Sequence, residues 1–228
     1  MYVLHFSPDT AALIVRLVLE ELGQPYRAVP IDRAAGGLDA PGYRALNPLG
    51  QIPALETPEG PIFETAAILA LLSETHGALA PRPGAPGRGD FLKWLAFTSF
   101  NLHAPLMGLF YPERYTGSAT GNAGFLATSR ARVETALALL DATAAGAPDW
   151  FAPDRASALG YYVLVLMRWL KSFAPDDPCH IDFARYPALA RMALTLEARP
   201  AARACAAAEG LGAAIFSAPC ADASAPGA

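Results

Sequence analysis

The chain has 228 residues, 53% of them hydrophobic, enough to bury a sizeable core in one large domain or two smaller ones. Its formal net charge is −4 and no basic stripe runs along it, which argues against nucleic acid as a partner. Only 17% of residues are charged, yet no apolar run reaches bilayer length: "AALIVRLVLEEL" is broken by Arg16, and "ALGYYVLVLM" is too short, so no membrane association is expected.

The N-terminal "MYVLHFSPD" lacks a basic segment followed by an apolar one, so no signal peptide is expected and the location is read as cytoplasmic. "YVLHF" reads as a strand. "TAALIVRLVLEELG" reads as a helix with Ala12, Val15, Leu19 and Leu22 on one face and Gly23 as its stop. "YRAVPI" is a second strand, placed at a sheet edge because Pro30 cannot donate to a ladder. After a long connection, "PALET" and "PIFE" form a hairpin around "PEG", and "TAAILALLSETHG" is a second helix. The order β-α-β, then β-β-α, predicts a compact α/β unit with a small mixed sheet over residues 1–76. Residues 77–89, rich in Pro, Gly and Ala, read as a linker. From Asp90 the strand signals stop, and helical spacing predicts an all-α domain over 90–216. The tail, 217–228, has no periodicity and is expected to be disordered. Cys179, Cys205 and Cys220 are far apart and odd in number, which predicts reduced structural thiols and no metal site.

One stretch looks like a socket: "NPLGQIPALETPEGPIFETAAILALL", Asn47 to Leu72. X-Pro bonds are the common place for a cis peptide, and a cis Ile52-Pro53 would leave the Ile52 backbone free to pair with an extended ligand. The helix beginning at Thr65 offers unpaired N–H groups and a positive dipole end to a carboxylate, with Glu64 beside it for an ammonium. An α-amino acid end carries both groups. The competing reading is plain capping of the helix by Glu64 or Thr65.

This layout resembles the cytosolic glutathione transferase family, from "LHFSPD" through "NPLGQIPALE" and "YPALARMALTLEARP" to "EARPAARACAAAEG". The resemblance implies a thioredoxin-like N-terminal domain, a helical C-terminal domain, a homodimer and glutathione as co-substrate. It also implies glutathione contacts at Ile52, Pro53, Glu64 and Thr65, with Gln51 beside them; Arg33 is a candidate partner for the glycine carboxylate, against the competing reading of a solvated loop arginine. The spacing is nearest to the bacterial beta class, whose first helix begins S-P-G-A-C-S-L-A. Here the stretch is "SPDTAALI", so Asp9 stands at the glycine and Ala11 at the cysteine, which excludes thiol-disulfide chemistry at that residue. "FNLHAPL" is similar to that class's E-L-H-K stretch, with His103 on its histidine. At "SALGYY" the family's capping box keeps Ser157 but has Gly160 in place of the acid.

Conjugation needs a thiolate near neutral pH, whereas a cysteine thiol has a pKa of about 8.5. Donors and positive potential at the sulfur lower it. The candidates are Thr10, then Ser7, with His5 third and Asp9 read as the cap of the first helix. His103 joins them from the second domain, as a donor to the thiolate or as a general base, or as a core residue satisfied by a carbonyl. Phe6, Phe100, Met107, Phe110, Tyr111 and Tyr115 are the candidate lining of an electrophile pocket, and Pro105 is expected to kink its helix at Asn101 and open a cleft. The function this implies is transfer of glutathione to a small apolar electrophile. The alternatives are a binding or regulatory module of the same fold, or a glutathione-dependent isomerase or peroxidase.

Overall fold

A computed structural model describes residues 1–118 and 122–219. The first half builds β1 (Tyr2–Phe6), α1 (Ala12–Glu21), β2 (Tyr26–Pro30), α2 (Pro41–Arg44), β3 (Ala54–Thr57), β4 (Gly60–Phe63) and α3 (Thr65–His76). The strands form one mixed sheet in the order β2-β1-β3-β4. β1 runs parallel to β2, from Tyr2 opposite Tyr26 to Phe6 opposite Pro30, and antiparallel to β3, with Leu4 opposite Leu55. Pro30 therefore sits at the end of an edge strand, where its missing N–H breaks no ladder. This is the small mixed sheet expected from the strand and helix order, and the thioredoxin-like unit that the resemblance implies.

α1 departs from its expected single apolar face. Every residue from Ala12 to Leu19 is buried, Arg16 included, because α1 packs between α3 of its own half and α8 and α10 of the other. A helix covered on all sides has no solvent stripe to reveal its orientation.

The second half is helical: α4 (Arg88–Phe97), a π-helical turn (Thr98–His103), α5 (Ala104–Phe110), α6 (Pro112–Thr116), α7 (Ala123–Ala145), α8 (Ala158–Leu170), a 3₁₀ turn (Phe183–Arg185), α9 (Pro187–Glu197) and α10 (Pro200–Glu209). Between α3 and α4 the chain has no regular structure, and Gly77 (φ 63°) and Gly87 (φ 81°) bracket that stretch in the left-handed region. The Leu79 carbonyl accepts the Ala158 N–H at 2.9 Å, tying this connection to the start of α8. α8 is buried along its whole length and forms the centre of the helical half. Ser157 caps it, its Oγ accepting the Gly160 N–H at 3.0 Å. At the C-terminus, Ser217 is fixed by Glu197, whose carboxylate accepts both its N–H and its hydroxyl. Residues 220–228 of the expected disordered tail, Cys220 among them, lie outside the described residues.

The expected kink at Asn101 takes the form of the π turn. Pro105 has no N–H to return to Asn101, and the Ala104 N–H bonds instead to the Ser99 carbonyl, one residue further back than an α-helix allows. The helix thus gains a residue within this turn, which rotates the faces of α5 relative to those of α4. Among the described residues no helix is long and apolar enough to cross a membrane.

Candidate active site

A cleft of about 620 Å³ lies between the two halves. The first half lines it with Thr10, Ala11, Arg33, Gln51, Ile52 and Glu64; the second with Ser99, His103, Met107, Tyr111, Tyr115 and Trp169.

The socket wall is set by the stretch ahead of β3. The Gln51 carbonyl accepts the Tyr43 hydroxyl and the Asn47 side-chain amide, each at 2.7 Å, so α2 and the Asn47 turn anchor the chain just before Ile52. Burial raises the Tyr43 phenol to about 12, which keeps it a neutral donor. The Ile52-Pro53 peptide is cis. Glu64 takes a left-handed backbone, φ 73°, at the N-cap position of α3, and its side chain makes no capping bond. The Glu64 side chain therefore does not cap α3: Glu64 lines the cleft, and Thr65 is buried at the first helical position. A bulky side chain at positive φ is uncommon and costs about 1 kcal/mol or more. It persists here where it sets an acid on the wall of a cavity, beside the unpaired N–H groups of the first turn.

Across the cleft, His103 sits at the end of the π turn. Its Nδ1 lies 2.8 Å from the Tyr162 hydroxyl, and its ring meets Tyr162 edge-on and Trp169 at a tilt. Burial lowers the imidazole pKa to about 4, so the ring is neutral at neutral pH. The Tyr162 phenol, itself raised by burial, also bonds the Ser99 side chain. His103 is thus in the cleft, and its hydrogen-bond partner is a hydroxyl on α8 rather than a carbonyl of the core.

The other candidates divide. Thr10 lines the cleft, but its hydroxyl donates to the Ser7 carbonyl at 2.7 Å, so its proton is already committed. Ser7 contributes that carbonyl and does not line the cleft. His5 points away along β1, its Nε2 2.8 Å from Glu56. Asp9 is not the cap of α1: the residue before that helix is Ala11, without a side-chain cap, and the Asp9 carboxylate is bound by Arg168 instead. Of the aromatic lining, Met107, Tyr111 and Tyr115 are in place. Phe6 is not, because it packs under the Arg16 guanidinium at 4.3 Å. Phe110 stacks on Phe173 with centroids 4.7 Å apart, outside the lining. Phe100 is 71% exposed. The π turn carries Phe100 out of the expected lining, and Ser99 lines the cleft beside His103 instead. Arg33 lines the cleft and its side chain reaches the Tyr111 hydroxyl, while Arg114 lies over the Tyr111 ring at 3.8 Å.

The sequence reading missed Ser99, Tyr162 and Trp169. Tyr162 and Trp169 are seven residues apart, hence on one face of α8, which was the available signal. Cys179 and Cys205 are free and buried, and burial raises the Cys179 thiol to about 11, so neither offers a reactive thiolate. Among the described residues no group of side chains is placed to hold a metal ion.

Residues 11–75 match the family model described as glutathione S-transferase, N-terminal domain. A solved sphingomonad glutathione S-transferase, complexed with glutathione, is 30% identical, with a TM-score of 0.74 over 92% of this chain and 100% of its own. Glutathione S-transferase GST-4.5 of Xanthomonas campestris pv. campestris is 26% identical over 76% of this chain and 84% of its own length. A maleylacetoacetate isomerase of Rhizobium meliloti is 33% identical over a shorter stretch, 34% of this chain and 37% of its own. On the sheet order, the cleft between the halves and a 30% identical relative spanned from end to end, the chain belongs to the glutathione S-transferase family.

Proposed function

We propose that this protein conjugates the thiol of glutathione to a small apolar electrophile, working as a cytoplasmic homodimer. In this reading residues 1–76 bind glutathione, 77–89 link, and 90–216 supply the acceptor side. The carrying observation is that Ile52 and Glu64 line the same cleft as His103, which comes from the opposite half. Glutathione would pair its main chain with Ile52 beside Pro53 and Gln51, give its ammonium to Glu64, and set its γ-glutamyl carboxylate on the α3 N-terminus at Thr65. Arg33 would take the glycine carboxylate.

With Ser99 donating to the Tyr162 oxygen, the phenolic proton goes to His103 Nδ1. That leaves Nε2–H as a donor aimed at the sulfur, and a neutral ring with so low a pKa is a poor base. His103 therefore stabilises the thiolate by hydrogen bonding. The thiol proton leaves to solvent, the sulfur lone pair forms the bond to carbon, and the leaving group departs with its electron pair. The acceptor would lie on Met107, Tyr111 and Tyr115. The arrangement resembles a beta-class site with its cysteine replaced by Ala11.

Calorimetry and turnover of an activated aryl halide test this together. Glu64→Gln is expected to weaken glutathione binding about tenfold or more, as loss of a charge-assisted hydrogen bond of about 1.5–3 kcal/mol requires, with the fold intact. Unchanged affinity would sink the socket. The second reading, a binding module of the same fold, is favoured by Ala11 and by the committed Thr10 hydroxyl. Tight glutathione binding without turnover of any electrophile would establish it, and substrate isomerisation without consumption of glutathione would point to the isomerase alternative.

A further inference from the structure

Asp9 occupies a left-handed backbone position, φ 52°, where the beta-class pattern has glycine. Its side chain is 6% exposed and is held from α8. Arg168 donates from Nε to one oxygen and from Nη2 to the other, each at 2.9 Å, and Trp169 Nε1 donates at 3.1 Å. Arg168 is itself 2% exposed, and its Nη1 donates to the Ile215 carbonyl at 2.9 Å. The Asp9 N–H goes to Glu209 of α10 at 2.9 Å. Arg16 of α1 faces that same Glu209 with Nε at 2.9 Å, an ion contact without hydrogen-bond alignment. The residues on either side of this cluster reach the cleft: Thr10 and Ala11 directly after Asp9, and Trp169 directly after Arg168.

A carboxylate one residue from the thiol site would oppose ionisation of the sulfur if it stood alone. The fork of Arg168 removes that opposition while fixing the turn, because a bidentate pair sets orientation as well as charge. We propose that Arg168 is a positioning residue for thiol ionisation: it acts through Asp9, whose carboxylate it neutralises directly before the cleft-lining Thr10 and Ala11. This rests on the reading of the cleft as the glutathione site.

The test is the pH dependence of thiolate absorbance in the glutathione complex, alongside calorimetric affinity, for the native protein, Asp9→Asn, Arg168→Met and the double variant. Asparagine tolerates the left-handed backbone at position 9. Asp9→Asn leaves the Arg168 charge unopposed and is expected to raise the thiolate fraction at a fixed acidic pH about tenfold. Arg168→Met leaves the carboxylate unopposed and is expected to lower it about tenfold, which corresponds to a change of one in the thiol pKa. The double variant is expected to return to within about twofold of native, an outcome a purely structural clamp would not give. Two single variants that move ionisation in the same direction, or not at all, overturn the proposal. Where near-ultraviolet circular dichroism shows that a single variant has not folded, Arg168→Lys replaces it. Lysine keeps the charge and loses the fork, and should hold ionisation within about twofold; a tenfold loss there overturns charge compensation. Absence of glutathione binding in the native protein would be a failure of the site reading instead, and is seen first by calorimetry.

Discussion

At the scale of single residues, the site is built from side chains whose protons are already assigned. Thr10 has committed its hydroxyl proton to Ser7, while His103 shares a hydrogen bond with Tyr162, and in the proposed tautomer, with the phenol donating, the histidine keeps an N–H edge for the cleft. Its depressed pKa also has a cost. In the unfolded chain the imidazole titrates near 6.5, and in the fold near 4. Above pH 6.5 both states are neutral and the group contributes nothing to the pH slope. As pH falls from about 6.5 to about 4 the unfolded state takes up the proton first, so stability is lost across that window, by about 3 kcal/mol at most. His103→Gln should flatten the acid limb of a denaturant-midpoint against pH curve in that window and lower catalytic efficiency at pH 7. An unaltered acid limb would mean that the ring is not desolvated. That Ile52, Glu64 and His103 line one cleft was legible in the sequence because each sits in a distinctive local pattern. The partners that define their chemistry were not, since Tyr162 is remote in sequence and nothing local announces it.

At the scale of elements, two irregularities explain where sequence periodicity succeeded and where it failed. The helices α7, α8 and α9 follow their spacing, whereas the π turn moves Phe100 into solvent and brings in Ser99. Pro105 signalled an interruption but not its kind, because a missing N–H can be absorbed by a bend or by an added residue. Gly160 is the second irregularity. It costs α8 about 1 kcal/mol of helix propensity. Yet a Cβ there would lie 3.1 Å from Ser157 Oγ, 3.3 Å from Met192 Sδ and 3.4 Å from Leu196 Cδ1, so glycine is what lets α9 approach α8 closely. Restoring the family's acid, Gly160→Asp, should therefore destabilise the protein by about 1–3 kcal/mol, as overpacking does, and lower the midpoint of thermal unfolding. A higher midpoint would show that α9 can move aside and that the capping box was the larger effect.

At the scale of the whole molecule, the order of strands, the edge position of β2 and the change to helices were readable from local pattern or from a proline, although the first helix of the second half begins at Arg88, inside the stretch 77–89 read as a linker, rather than at Asp90. The way the halves meet was not. α1 reads as an ordinary surface helix, and only the assembled chain shows it packed against α3, α8 and α10 at once. The first half expressed alone, residues 1–87, would expose the part of α1 that α8 and α10 cover, together with the unpaired carboxylate of Asp9. It should be recovered as aggregate, while the same segment mixed with residues 88–228 should regain helical signal and solubility. A soluble, cooperatively unfolding 1–87 fragment would contradict this.

That shared helix has a consequence for how the protein can change over time. A unit whose central helix is common property cannot be exchanged for another of the same topology without carrying a matching α8 and α10 surface with it. The proposed acceptor wall around Met107 and Tyr115 is under less obligation, since α5 and α6 pack chiefly on each other, on the π turn and on α7. If that wall receives the acceptor as proposed, substitutions there alter the pocket at little expense to the fold, while the seam between the halves changes only as a block.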